Sequence, residues 1–223
     1  SRTMLRSNLG SGIKVNSLSA ASAINDSIIA ANSGEGISNS QSYYPLDIIN
    51  CSIISNYGTG IVGSEAVNIS NSIAWYNHRI EEPNSIEIYY GLQLVDCEVE
   101  YSCVQDPNDI EGVAQGSELP DENGNISAHP QFYFDPSSFV YYILAASPCR
   151  DAGSNDAVVS STDFYGQSRI INDTVDIGAA EYSGVQLCQD CDFNKSATVD
   201  FADYQYLAYG WLADSSDPRY SLE

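Results

Sequence analysis

Ile24-Asn25-Asp26-Ser27-Ile28-Ile29 is followed by Ile49-Asn50-Cys51-Ser52-Ile53-Ile54 and again by Ile69-Ser70-Asn71-Ser72-Ile73-Ala74. A weaker fourth version reads Leu94-Val95-Asp96-Cys97-Glu98-Val99. Aligned on Ser27, Ser52, Ser72 and Glu98, the copies step by 25, 20 and 26 residues. A second register agrees, with Gly12-Ile13, Gly36-Ile37 and Gly60-Ile61 recurring every 24 residues. Repeats of roughly 20–30 residues mark a solenoid, because one coil cannot bury its own apolar side and must stack on the next.

The residue types choose the solenoid. Each phrase is short, β-branched and alternating, as a strand should be. Gly, Asn and Ser punctuate the intervals as turn residues do. Residues 10–103 carry no apolar stripe at helical spacing, which argues against leucine-rich, ankyrin and helical repeats. The expected fold is therefore all-β: a parallel β-helix with three short strands per coil and coils about 4.8 Å apart. Asn32, Asn56 and Asn77 close their coils and are expected to form a ladder of stacked amides. Cys51 and Cys97 read as small buried residues within the coils.

Composition narrows the function. The 223 residues hold one solenoid and a small appendage. With 30 acids against 8 bases, the formal net charge is −22. Nucleic acid is excluded as a natural partner, since phosphate binding needs clustered Lys and Arg, and no apolar run is long enough to span a membrane. Divalent cations suit the many hard oxygen ligands. Six cysteines in an Asn-, Ser- and Tyr-rich chain suggest an oxidising, secreted setting, open to cell-surface attachment. Cys188 and Cys191 form the one Cys-x-x-Cys and lack a second pair for zinc, so a disulfide is expected there. Cys103 and Cys149 flank the segment after the repeats and are a second candidate pair. The first ten residues read as solenoid already in progress, as in a piece of a longer secreted precursor.

Two stretches stand out as ligand candidates. His78, Arg79, Glu81 and Glu82 lengthen the turn after the third phrase, either as a contact loop or as a solvated loop with a local ion pair. Asp121-Glu122-Asn123-Gly124-Asn125 offers oxygens for a cation or a plain acidic turn. The pairs Tyr43-Tyr44, Tyr89-Tyr90 and Tyr141-Tyr142 could stack on sugar rings or simply pack on strands.

From residue 127 the texture changes. His129-Pro130-Gln131-Phe132 precedes Tyr142-Ile143-Leu144, then Ser147-Pro148-Cys149-Arg150-Asp151-Ala152-Gly153. Asp163 to Arg169 and Asp176-Ile177-Gly178-Ala179-Ala180-Glu181-Tyr182 follow. These motifs resemble the closing segment of secreted bacterial right-handed parallel β-helix proteins of the pectate-lyase-like superfamily, of the choice-of-anchor Q type. The resemblance covers about residues 10–186. It implies a right-handed β-helix and a secreted life, and it does not imply one activity.

Residues 187–223 read as a separate module. Asp192, Asn194, Ser196, Asp200 and Asp203 place oxygen-bearing side chains at positions 1, 3, 5, 9 and 12 of a Ca²⁺ loop, with Thr198 offering its carbonyl at position 7. A helix from about Asp200 to Leu212 should follow, with Phe201, Tyr204, Leu207, Trp211 and Leu212 on one face. The module resembles a single dockerin repeat. Ala197 departs from the usual Gly at position 6, and a second repeat is missing. Residues 1–186 and 187–223 are thus the two expected domains.

The function this suggests is a secreted, acidic, non-catalytic β-helix stabilised by Ca²⁺, for surface attachment, matrix or filament assembly. Its partners would be an extracellular polysaccharide, a cohesin-like scaffold or further copies of itself. A polysaccharide lyase or glycoside hydrolase fragment is one alternative, with Glu87, Asp96, Glu98, Glu100 and Arg79 as the clustered charges. A carbohydrate-binding module is the other.

Overall fold

The computed structural model describes residues 2–40, 44–63, 67–79, 88–89, 92–94, 97–105, 120–135 and 140–184. The chain divides into two units, Ser1–Tyr182 and Ser183–Glu223. The repeats all fall in the first.

Its strands come in a fixed rotation. The first coil holds β1 (Met4–Arg6), β2 (Ile13–Val15) and β3 (Ser22–Asn25). The second holds β4 (Ile28–Ala30), β5 (Ile37–Asn39) and β6 (Leu46–Ile49), and the third β7 (Ser52–Ile54), β8 (Ile61–Gly63) and β9 (Val67–Ser70). In the fourth, β10 (Ile73–Trp75) leads to an excursion holding β11 (His78–Arg79) and β12 (Ile88–Tyr89), after which β13 (Leu92–Leu94) and β14 (Cys97–Glu100) return to the coil. β15 (Cys103–Val104) opens the next turn. Every third strand pairs in parallel, giving sheets ordered β1-β4-β7-β10-β15, β2-β5-β8-β13 and β3-β6-β9-β14. This all-β, mostly parallel stacking is consistent with a β-helix or solenoid. The short β11–β12 pair is antiparallel and confined to the excursion.

The register corrects the phrase alignment. Ile28 lies over Ser52 and Ser52 over Ile73, while Ile24 lies over Ile48 and Ile48 over Ile69. Ser27, Cys51, Ser72 and Ser102 are the equivalent residues, not Ser27, Ser52, Ser72 and Glu98. The fourth copy is Val99-Glu100-Tyr101-Ser102-Cys103-Val104, because β13 stacks on β8 in the Gly-Ile register instead. The physical reason is the pleat. A one-residue slip at the second copy would turn Ile53 out of the tube and Ser52 into it.

In this register the repeated phrase has a clear meaning. Asp26, Asn50, Asn71 and Tyr101 have φ of 46°, 52°, 48° and 46°. They make a left-handed corner between the third and first sheets, which Asp and Asn tolerate best among residues with a side chain. The next residue stacks. Ser27 Oγ accepts the Thr3 N–H, Ser72 Oγ accepts the Cys51 N–H, and Ser102 Oγ accepts the Ser72 N–H. Asn125 Oδ1 extends the stack by accepting the Ser102 N–H at 3.0 Å. Ser27, Ser72 and Ser102 each also donate to the carbonyl two residues back, at 2.8 Å.

The other corner is the expected amide ladder. Asn8 donates to Asn32, Asn32 to Asn56 and Asn56 to Asn77, each Nδ2 to Oδ1 at 2.8 Å. Asn32, Asn56 and Asn77 are fully buried, and each also donates to a carbonyl of the preceding coil. The chain then passes over the ladder at Gly36, where a Cβ would collide with Ile53 Cγ2 and lie 2.5 Å from the Gly60 carbonyl. That close approach is why glycine precedes isoleucine in this register.

The tube interior is filled by Ile29, Ile37, Leu46, Ile48, Ile53, Ile61, Val67 and Ile69. A second core lies outside the first sheet, where Ile28, Ala30, Ile54, Ile73 and Trp75 meet Ile126, Ile143, Ile177 and Ala179. The covering segment begins with an antiparallel hairpin, β16 (Phe132–Asp135) and β17 (Val140–Ile143), and continues through a 3₁₀ turn at Asn155–Ala157 to Tyr182. This segment lies along the flank of the coils as a lateral clasp. Ser52 Oγ accepts the Ala179 N–H at 3.0 Å, and the Asn71 carbonyl accepts the Gly178 N–H at 2.7 Å. Asn71 and Ser154 exchange two hydrogen bonds, at 2.8 and 2.9 Å. Each isoleucine fully buried beneath the clasp contributes roughly 1.5–3 kcal/mol.

Candidate functional site

One open cleft forms where the clasp hairpin meets the edge of the first sheet. It has a volume of about 390 Å³ and is lined by Arg6, Ser7, Ala31, Ile54, Ser55, Tyr76, Phe132 and Tyr141. Its floor is built by repetition. Ser7, Ala31, Ser55 and Tyr76 occupy the same place in successive coils, just before the amide ladder, with φ of 56°, 53°, 55° and 57°. Phe132 and Tyr141 descend from β16 and β17. Burial raises the Tyr141 phenol above its ordinary pKa, and the nearby Arg6 guanidinium opposes this. At one side His129 meets Tyr76 edge-on, with ring centroids 5.4 Å apart, and its Nε2 contacts the Tyr76 hydroxyl. The Gln131 N–H donates to His129 Nδ1 at 2.8 Å, so Nε2 carries the proton of the neutral ring. Three aromatic rings, hydroxyls and one guanidinium can hold a ligand with an apolar face and polar edges; they supply no pair of carboxylates.

The carboxylates are gathered elsewhere, under the clasp. Arg169 is 1% exposed and faces Asp26 at 3.6 Å and Glu181 at 3.3 Å; it also donates to the Gly178 carbonyl. Asp163 accepts the Gln167 N–H at 2.7 Å and the Glu181 N–H at 2.9 Å. Asp176 accepts the Asp151 N–H at 2.6 Å and the Tyr182 N–H at 2.5 Å. Both Glu181 oxygens face the Asp176 N–H at 3.2 Å. Ser160 donates to Asp26. Acids set close together in a buried site disfavour one another's charged forms. Burial pushes Glu181 up to about 9, with Asp176 adding to the rise and Arg169 opposing it. Burial likewise lifts Asp176 to about 6 against its two backbone donors, and raises Asp163. Against that rise, Arg169 at 3.3 Å and the Asp176 N–H favour the charged form of Glu181.

The cysteines divide. Cys51 is fully buried inside the tube, its thiol pushed up to about 12 by burial. Cys103 and Cys149 are both fully buried, and their side chains are in hydrogen-bonding contact across the second core. Both are free thiols in this structure.

His78 and Arg79 sit on β11, paired with Tyr89 and Ile88; their side chains, and all of Glu81 and Glu82, lie outside the described residues. So do Cys188, Cys191 and the whole loop set Asp192, Asn194, Ser196, Thr198, Asp200 and Asp203. Asp121 is a turn former: its carboxylate accepts the Asn123 and Asn125 N–H groups at 2.8 and 2.7 Å. Among the described residues, no group of three or more His, Cys, Asp or Glu is arranged to hold a metal ion, and no helix is long and apolar enough to cross a membrane.

Arg169, Asp26 and Glu181 escaped the sequence reading as a group. A signal for the clasp was present in the first sheet, where Ile28-Ile29-Ala30 and Ile73-Ala74-Trp75 run apolar without alternation. Strands buried on both faces read that way.

The chain matches no family profile, no curated protein and no solved structure.

Proposed function

We propose that the chain is a non-catalytic, acidic, secreted β-solenoid that serves as a rigid element for surface attachment or matrix assembly. The carrying observation is the use made of its acids. The carboxyl groups that converge from separate elements, Asp26, Asp163, Asp176 and Glu181, are buried and spent on Arg169 and backbone N–H groups, while Glu98 and Glu100 lie exposed along the single strand β14. A glycosidase needs two carboxyl groups flanking an accessible bond. The coils are taken as right-handed, the sense that parallel crossovers strongly prefer and that the resembled β-helix proteins share. The C-terminal repeat is read as a Ca²⁺-stabilised dockerin-like module. The test is to incubate the full chain with polyuronates and neutral polysaccharides while following unsaturated-uronate absorbance and reducing ends. No turnover is expected, and sustained turnover would overturn the reading. Electron microscopy of the same material distinguishes monomeric rods from filaments.

A second reading, carbohydrate binding, is favoured by the cleft. Tyr76, Phe132 and Tyr141 supply the rings and Arg6 a charge-assisted donor. A glycan array with the intact chain tests it. Signals lost in both Tyr141→Ala and Arg6→Ala would support binding there.

A further inference from the structure

We propose that Cys103 and Cys149 form a disulfide that locks the lateral clasp to the coils. Cys103 begins β15 in the first sheet, while Cys149 lies in the clasp between β17 and the 3₁₀ turn. Both are fully buried members of the core between sheet and clasp, and their sulfurs are in contact. The surrounding backbone is fixed independently of any bond. The Cys149 N–H donates to Ser147 Oγ at 3.1 Å, and the Cys149 carbonyl accepts the Ile177 N–H at 2.9 Å. Cys103 is held by the coil ladder, its N–H donating to the Ser72 carbonyl at 2.9 Å. With both backbones held and the two thiols in hydrogen-bonding contact, side-chain rotation is the movement left to bring sulfur to sulfur.

The step is an exchange with a small disulfide such as oxidised glutathione. One protein thiolate attacks the small disulfide and releases one small thiol. The second protein thiolate then attacks the mixed disulfide and releases the other. Two protein thiols are oxidised to one S–S bond, one small disulfide is reduced to two thiols, and the two protein protons end on the released thiols. The exchange must precede docking of the clasp, because burial then removes both sulfurs from solvent and holds the Cys149 thiol protonated. Once the clasp has docked, the bond resists reductant for the same reason.

The test is direct. The full chain is unfolded with reductant, refolded in a buffer of reduced and oxidised glutathione, alkylated in denaturant without reductant, digested and mapped by mass spectrometry. A linked peptide pair carrying Cys103 and Cys149, two hydrogens lighter than the separate peptides, is expected, with Cys51 alkylated. Full alkylation of both cysteines, or either one linked elsewhere, would overturn the proposal. A second arm compares proteolysis of the clasp in oxidised and reduced refolded chains. Closing a loop of about 45 residues should lower the open population by roughly 10²–10³-fold, and equal cleavage rates would remove the locking role. Mapping the chain as made by its source cell tests a separate point: a bond formed in buffer but absent there counts against the secreted reading, on which this pairing does not depend.

Discussion

Arg169 Nε lies 3.6 Å from Asp26 Oδ1, and both side chains are almost wholly buried. One belongs to the clasp and the other to the corner before the second coil's β4, so this contact joins sequence-distant parts in a dry site. Replacing Arg169 by Met should therefore leave buried acids without a cation, a change that typically costs about 3–5 kcal/mol. Urea unfolding of the variant should show the loss. Arg169→Lys should fall between the two, since an ammonium keeps the charge but not the planar fork.

The acids around Arg169 set a pH dependence of unusual sign. Glu181 is raised to about 9, Asp176 to about 6, and Asp163 also upward, each first by burial. A carboxyl whose folded pKa lies above its unfolded value holds a proton that the unfolded chain has released. Its contribution is complete below the unfolded value, near 4, and is lost as pH rises through the folded value. Stability should thus fall from about pH 5 to about pH 9, more steeply at first, where Asp176 and Glu181 both hold protons the unfolded chain has released, and less steeply above about pH 6, where Glu181 alone does. Denaturant midpoints across that range check the slope. Glu181→Gln, which stays neutral, should flatten the part above about pH 6.

The amide ladder should be as sensitive as a core position. Asn56 Oδ1 accepts from the Asn32 side chain and backbone, and its Nδ2 donates to Asn77 and to the Ile29 carbonyl. Asn56→Ala strands several buried partners at roughly 1–3 kcal/mol each, so a loss of about 3–5 kcal/mol is expected. Hydrogen exchange should speed up in β4, β7 and β10 together, because the neighbouring amides lose their partner in both directions.

Much of this was legible locally. The Gly-Ile register and the ladder of Asn32, Asn56 and Asn77 depend on one residue type recurring at one place, and both stand in the structure. The corner phrase was harder, because Cys51-Ser52 imitates the neighbouring pair Asp26-Ser27 when shifted by one. Only pairing across the pleat separates Ser52, which faces the clasp, from Cys51, which stacks in the corner. The fourth copy slid because the excursion after Trp75 adds residues that no repeat length anticipates. The clasp site was illegible for a different reason. Arg169 finds Asp26, and Ser154 finds Asn71, through packing of a non-repeating segment whose path no periodicity describes.

Gly178 should separate the clasp from the coils experimentally. Its φ is +115°, and a Cβ there would lie 2.8 Å from Ile73 Cδ1 and 3.1 Å from Ser52 Oγ. Gly178→Ala combines a disfavoured backbone conformation, at roughly 1–3 kcal/mol, with a clash against the first sheet. The clasp should become accessible to protease while far-ultraviolet circular dichroism of the coils is retained. Loss of both together would mean that the coils cannot stand without their cover.

The C-terminal loop gives a prediction that rests on spacing alone, since residues 192–203 lie outside the described structure. Six oxygen donors from Asp192, Asn194, Ser196, Thr198, Asp200 and Asp203 would suit a hard divalent ion. Three of them are carboxylates, few enough that affinity should fall in the weak, extracellular range of about 10⁻⁴–10⁻³ M. Calorimetric titration of the full chain should show one saturable Ca²⁺ event, abolished in Asp192→Ala with Asp203→Ala. Millimolar Ca²⁺ should raise the protease resistance of residues 187–223, and a chelator should reverse it. Magnesium should substitute poorly, because its smaller shell dehydrates reluctantly and tolerates less irregular geometry. A chain that binds no Ca²⁺ at millimolar concentration would reduce this loop to an acidic turn, and the extracellular reading would then rest on the coils and the cysteines alone.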